Sequence, residues 1–143
     1  MFKSMLAIST LFTIFISSLS AEHVVWSGAV SSNGNPTQAV SLNLDKKYQI
    51  VAQGTINLGK WVEGGHRLED DPCYEFNAPS GPEKLKSLRN SNDIPLNDKT
   101  FNPEHLYKSE PFVAKQSKIH FWVYDLDYSD NTGAFDVKIV ELD

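Results

Sequence analysis

The chain has one cysteine among its 143 residues, Cys73, so no disulfide can close within it and the fold must hold by packing alone or with a metal's help. A buried inert thiol and an intermolecular disulfide are the two roles open to Cys73. Basic residues are also scarce, thirteen Lys and Arg against eighteen Asp and Glu. The net charge of −5 repels nucleic acid and anionic lipid, which are bound largely through Lys and Arg, and it suits cations and neutral ligands. No segment sustains a helical period of 3.6 over about ten residues. Catalytic signatures are missing as well: there is no GxSxG elbow, no HExxH pair and no phosphate-cradling glycine loop. Cys73 and His66 sit in no thiol-protease pattern, and a glycosidase-like carboxylate pair drawn from Glu69, Asp70, Asp71 and the C-terminal acids carries no local mark. The expectation is a protein that is not an enzyme.

What is present begins with a leader. MFKSMLAISTLFTIFISSLSA places Lys3 ahead of an apolar run from Met5 to Ile16 and then small residues, the layout of a secretory signal over residues 1–21. Cleavage after Ser20 or after Ala21 fits equally. The run falls short of the ~20 residues of a spanning helix and is interrupted by Ser9, Thr10 and Thr13. No cysteine follows it, so nothing suggests a lipid anchor. Residues 22–143 are expected to form one secreted or periplasmic domain, with twelve basic residues against eighteen acidic ones and a net charge of about −6.

Short β-type runs separated by turn formers fill that domain. His23 to Val30 is one, closed by the turn cluster SSNGNP from Ser31. Gln38 to Leu44 follows, and then Lys47 to Leu58, read as the longest strand. Residues 59–82 are rich in Gly, Pro and acids without a period, and a loop of that length in a small domain points to a binding role. Residues 83–89 fit a short strand or a helical turn, and residues 90–111 are mostly turn chemistry. Lys118 to Tyr124 puts Ile119, Phe121 and Val123 on one face and His120, Trp122 and Tyr124 on the other. Ala134 to Leu142 alternates in the same way, with Phe135, Val137 and Ile139 opposite Asp136 and Lys138. The fold class expected is all-β, with seven or eight short strands arranged most simply as a small sandwich.

Between the last two strands lies YDLDYSDNTGAF, where a two-residue hairpin turn would have sufficed. It supplies oxygens at Asp125, Asp127, Ser129, Asp130, Asn131 and Thr132, the hard donors that calcium takes, and no soft ligand for zinc or copper. It is not an EF-hand, because its sixth position is Asp130 and its twelfth is Asp136. A solvated acidic hairpin, with Asp and Asn capping their own backbone and Gly133 at positive φ, accounts for the same composition.

Four stretches in order, Trp26-Ser-Gly-Ala-Val30, Ile50-Val-Ala-Gln-Gly54, Leu58-Gly-Lys-Trp61 and Asp125 through Asn131-Thr-Gly-Ala-Phe135, resemble the calcium-dependent galactophilic lectins of bacteria, the LecA type. The resemblance covers nearly all of residues 22–143. It implies a small β-sandwich, galactose-binding-domain-like and jelly-roll-like, in which one Ca2+ at the edge bridges the protein to a galactose. On that pattern the metal ligands are the backbone carbonyl of Leu58, Asp125, Ser129, Asp130 and Asn131. The loop is two residues shorter than the family's between the hydroxyl residue and the Asn pair, and Asp130 replaces the first Asn. The family's His-Pro-Asp-Gln sugar contact has no full counterpart. His66, Asp70 and Asp71 are its candidates here, with Trp61 as a stacking platform and Asp125 and Asn131 at the metal. The expectation is a lectin recognising galactose-like glycans on cell surfaces, tetrameric by resemblance. The alternative is a secreted protein-interaction or structural module that keeps the fold without the sugar site.

Overall fold

The computed structural model describes residues 22–60, 67–74, 85–96 and 99–143. Among them there is no helix and the regular structure is all β. The strands are β1 (His23–Ser31), β2 (Val40–Ser41), β3 (Lys47–Gln53), β4 (Ile56–Lys60), β5 (Arg67–Asp70) and β6 (Leu88–Asn90). They continue with β7 (Leu106–Lys108), β8 (Phe112–Val113), β9 (Lys118–Ile119), β10 (Phe121–Val123) and β11 (Thr132–Leu142). These eleven exceed the seven or eight expected, because two runs read as continuous are each divided and the short strands β5, β7 and β8 form where no strand was read.

The run from Lys47 breaks at Gly54, whose φ of 106° is open to glycine and strained for other residues. β3 stops before it and β4 starts after Thr55; both halves stay on β11, and their other edges differ, with β7 and β8 on β3 and β5 on β4. β3 pairs with the C-terminal part of β11 from Asp136 to Leu142, and β4 with its first two residues, Thr132 and Gly133. The run from Lys118 divides at His120. β9 pairs with β2, while β10 pairs with β6 in the register Phe121↔Asn90, Trp122↔Arg89, Val123↔Leu88. Residues 90–111, read as turns, also contain β7 and an isolated bridge between Leu96 and Ser109.

β11 is the centre of the molecule. It lies in a seven-stranded antiparallel sheet of order β5-β4-β11-β3-β7, with β1 also on β11 and β8 on β3. Its pleat puts Phe135, Val137 and Ile139 into the core, as the alternation requires, and leaves Asp136 exposed. The core also takes Val30 from β1, Tyr48 and Ile50 from β3, Ile56 and Leu58 from β4, and Ile119, Phe121 and Val123. Trp26 stacks on Phe121 at 5.6 Å and 9°, which ties the β6/β10 ladder to the large sheet.

β10 and β11 are therefore not partners, and the connection between them is not a hairpin. Residues 124–131 carry the chain from the β6/β10 ladder into the seven-stranded sheet, a crossing no two-residue turn can make.

Candidate functional site

Three elements bring the acidic connection to one place. β4 pairs Asn57 with Thr132 and Ile56 with Gly133, which sets the end of the loop beside the Leu58–Gly59 peptide. The backbone N–H of Ser32, just past β1, donates to the Gly133 carbonyl at 3.1 Å. The ring of Tyr128 covers Gly34 in the turn after β1. The loop is thus laid across the ends of β1 and β4.

Within it the oxygens divide into two sets. Asp130 places its carboxyl directly over Gly59, where a Cβ would collide with it, and Gly59 itself has φ of 82°. The Gly59 N–H donates to the Asn57 side chain at 2.8 Å. Asn131 turns inward, its Nδ2 donating to the Ser32 carbonyl at 3.0 Å, and its Oδ1 is buried with no hydrogen-bond partner among the described residues. A buried acceptor left in this way calls for a water or an ion. Asp130 thus lies on the Leu58–Gly59 step, while the Asn131 amide is held at Ser32.

Asp125 and Ser129 are engaged differently. Asp125 Oδ1 accepts from the Leu126 N–H at 2.7 Å, which leaves Oδ2 as the donor the carboxylate has to offer. Ser129 is held by Asp127, the acid with no place in the lectin pattern: Asp127 Oδ1 accepts from the Ser129 N–H at 2.9 Å and from its hydroxyl at 2.6 Å. Those two bonds hold the Asp127 carboxyl below the usual carboxylate range, the side-chain bond foremost. The local capping expected of a solvated loop is thus present, as is the positive φ at Gly133, alongside the Asp130–Gly59 approach. The Asp-x-Ser spacing was the sequence signal for Asp127, since Asp readily accepts from the backbone two residues on.

Trp61 and His66 lie outside the described residues. Asp70 and Asp71 are inside the protein, each with 0% exposure, rather than on a sugar-facing surface. Asp70 accepts from the Ser87 hydroxyl. Asp71 uses one oxygen for the N–H groups of Cys73, at 2.9 Å, and Tyr74, closing the turn after β5. Its other oxygen accepts from the Tyr107 hydroxyl at 2.8 Å and lies 3.5 Å from His105 Nδ1. Tyr107 in turn accepts from the Asn102 N–H at 2.9 Å. Burial foremost, with the Asp71 carboxylate beside it, pushes the Tyr107 hydroxyl far above its ordinary range. Asp71 thus joins two segments 36 residues apart, and no local pattern announces partners at that separation.

Cys73 is buried and free of any disulfide. Groups of three or more His, Cys, Asp or Glu arranged for a metal are absent among the described residues. Asn131, Ser129 and the Leu58 carbonyl, three of the five ligands implied here, are a different kind of donor. No family model matches this chain, and no curated protein or solved structure matches it.

Proposed function

We propose that the protein is a secreted, calcium-dependent, carbohydrate-binding protein that recognises galactose-like sugars on cell surfaces through the crossing loop. The observation that carries this reading is Asn131 Oδ1, buried without a hydrogen-bond partner among the described residues and next in the chain to Asp130, whose carboxyl lies on Gly59. A short loop dense in hard oxygens, one of them a buried unsatisfied acceptor, suits Ca2+, which takes six to eight oxygen ligands at about 2.3–2.6 Å. Asp130, Asn131, the Leu58 carbonyl and the outer oxygen of Asp125 would hold it, and Ser129 joins them if its hydroxyl leaves Asp127. When bound, calcium would supply a Lewis-acidic centre for the hydroxyls of the sugar. The resemblance adds the small β-sandwich and a tetramer, whose several weak sites would act together, and the layout of residues 1–21 adds the secretory leader.

A second reading, a module that binds protein or has a structural role, draws on two features. Asp70 and Asp71 are spent on internal bonds, and Leu126 at the tip of the loop is 89% exposed between the exposed rings of Tyr124 and Tyr128. Calorimetric titration separates the two readings, with calcium first and then galactose or a methyl galactoside in its presence. Saturable calcium binding followed by sugar binding that chelator reverses is the expected result. Calcium binding with no response to any galactoside would sink the sugar reading and leave the module.

A further inference from the structure

A separate cleft of about 490 Å³ opens beside β6. Its floor is apolar, from Leu88 and Leu96 among others, and its rim carries Lys86, Arg89, Asp93 and Trp122. The volume lies within the range of roughly 300–1,000 Å³ usual for small-molecule pockets.

Arg89 and Trp122 are directly opposed across the β6/β10 ladder, so the pleat sends both side chains to the same face. Arg89 Nε donates to the Lys86 carbonyl at 3.2 Å, and its Cζ lies 4.7 Å from the centre of the Tyr124 ring. The guanidinium is thereby held in position with its terminal NH2 groups left to donate. Neither Lys86 nor Arg89 is in an ion pair among the described residues. Two cations against the single carboxylate of Asp93 make the cleft locally positive in a chain whose net charge is −5. The rim is also built with strain. Lys86 and Asp93 have φ of 55° and 53°, the left-handed region that a long side chain such as lysine rarely occupies. The turn between them is fixed from inside by Asn90, whose Oδ1 accepts from the N–H groups of Asn92 and Ile94 at 3.2 and 3.0 Å.

From this arrangement we infer that the cleft binds an acidic monosaccharide, a six-membered sugar ring bearing a carboxylate. Arg89 and Lys86 take the carboxylate through charge-assisted hydrogen bonds, for which the planar guanidinium is suited bidentately. Trp122 offers a flat apolar face to the C–H side of the ring. Asp93 accepts from ring hydroxyls, which sets a hydroxylated acid apart from a bare carboxylate or phosphate. None of these residues belongs to the calcium loop, so the site goes beyond the reading above and works without the metal.

The test is saturation-transfer NMR on the whole protein in the presence of chelator, with glucuronic acid, glucose and inorganic phosphate as probes. Glucuronic acid should give a saturable signal, with glucose at least tenfold weaker and phosphate displacing glucuronic acid only at much higher concentration. Arg89→Gln and Lys86→Gln should each weaken glucuronic acid about tenfold while melting temperature and circular dichroism are unchanged. Because Lys86 is exposed, its variant keeps the test decisive if Arg89→Gln unfolds. Equal binding of glucose and glucuronic acid overturns the proposal, as does equal competition by phosphate. Affinity unaltered in the folded variants overturns it too. Loss of the signal on chelation alone would place the sugar at the calcium loop and overturn it as well.

Discussion

Asp71 shows how one side chain comes to hold distant chain together. Its two oxygens accept from Cys73, Tyr74 and Tyr107, and a buried carboxylate is tolerated only where such bonds replace water. Tyr107→Phe removes the hydroxyl that donates to it and leaves the Asn102 N–H without its acceptor. The expected cost is about 1.5–3 kcal/mol, the range for a hydrogen bond to a charged group, read from urea unfolding. A loss under about 0.5 kcal/mol would mean that water replaces the hydroxyl and that the link is idle. Asp127 makes the opposite case, an exposed acid whose bonds to Ser129 lower its folded pKa. Such a group contributes stability above its unfolded pKa, about 3.9, and the contribution is lost as pH falls through the lower folded value. NMR titration should find Asp127 titrating below the ordinary carboxylate range, and Ser129→Ala should move it upward. An unmoved Asp127 in that variant would show that Ser129 is not the cause.

At the scale of elements, glycine backbone marks where a strand is interrupted and where the loop can lie. Gly54 interrupts the run from Lys47, yet β4 continues along β11 in the register of β3, and its other edge takes β5 where β3 has β7 and β8. Gly59 then lets the Asp130 carboxyl settle on the β4 backbone. Gly59→Ala meets two penalties, about 1–2 kcal/mol for a left-handed alanine and the displacement of Asp130. The variant should be destabilised beyond the first term and should bind calcium more weakly. Asp130→Ala added to it should recover part of the lost stability, the sign that the two residues collide. Strictly additive effects in that cycle would show that the close approach is not formed. The alternation in β11 and in residues 118–124 was legible because one face is buried and the other is not, and a period of two cannot be kept otherwise. The break at His120 was not legible, because it follows from which neighbour the next residues find, and Gly54 permits a break without saying that it is used.

For the whole molecule, calcium bound only by the folded state adds stability by mass action, about 2.7 kcal/mol at a concentration one hundred times the Kd. Differential scanning calorimetry should record a rise of several degrees with calcium that chelator reverses, and Asp125→Ala should abolish it. A melting temperature equally calcium-sensitive in that variant would refute the ligand assignment. The all-β class, the buried faces of the C-terminal strands and the oxygen-rich character of residues 125–132 were determined by the order of residues alone. Pleat periodicity and side-chain chemistry are local properties, written where they act. The path of that segment was decided by the tertiary structure: what reads as a hairpin crosses between two sheets, because β10 finds β6 while β11 finds β1, β3 and β4. The same pairing brings Asp130 onto Gly59, leaves Asn131 Oδ1 unsatisfied and draws Asp70 and Asp71 inward to Ser87 and Tyr107. These contacts join residues far apart in the chain, and only the closing of the core chooses among the partners each side chain has on offer.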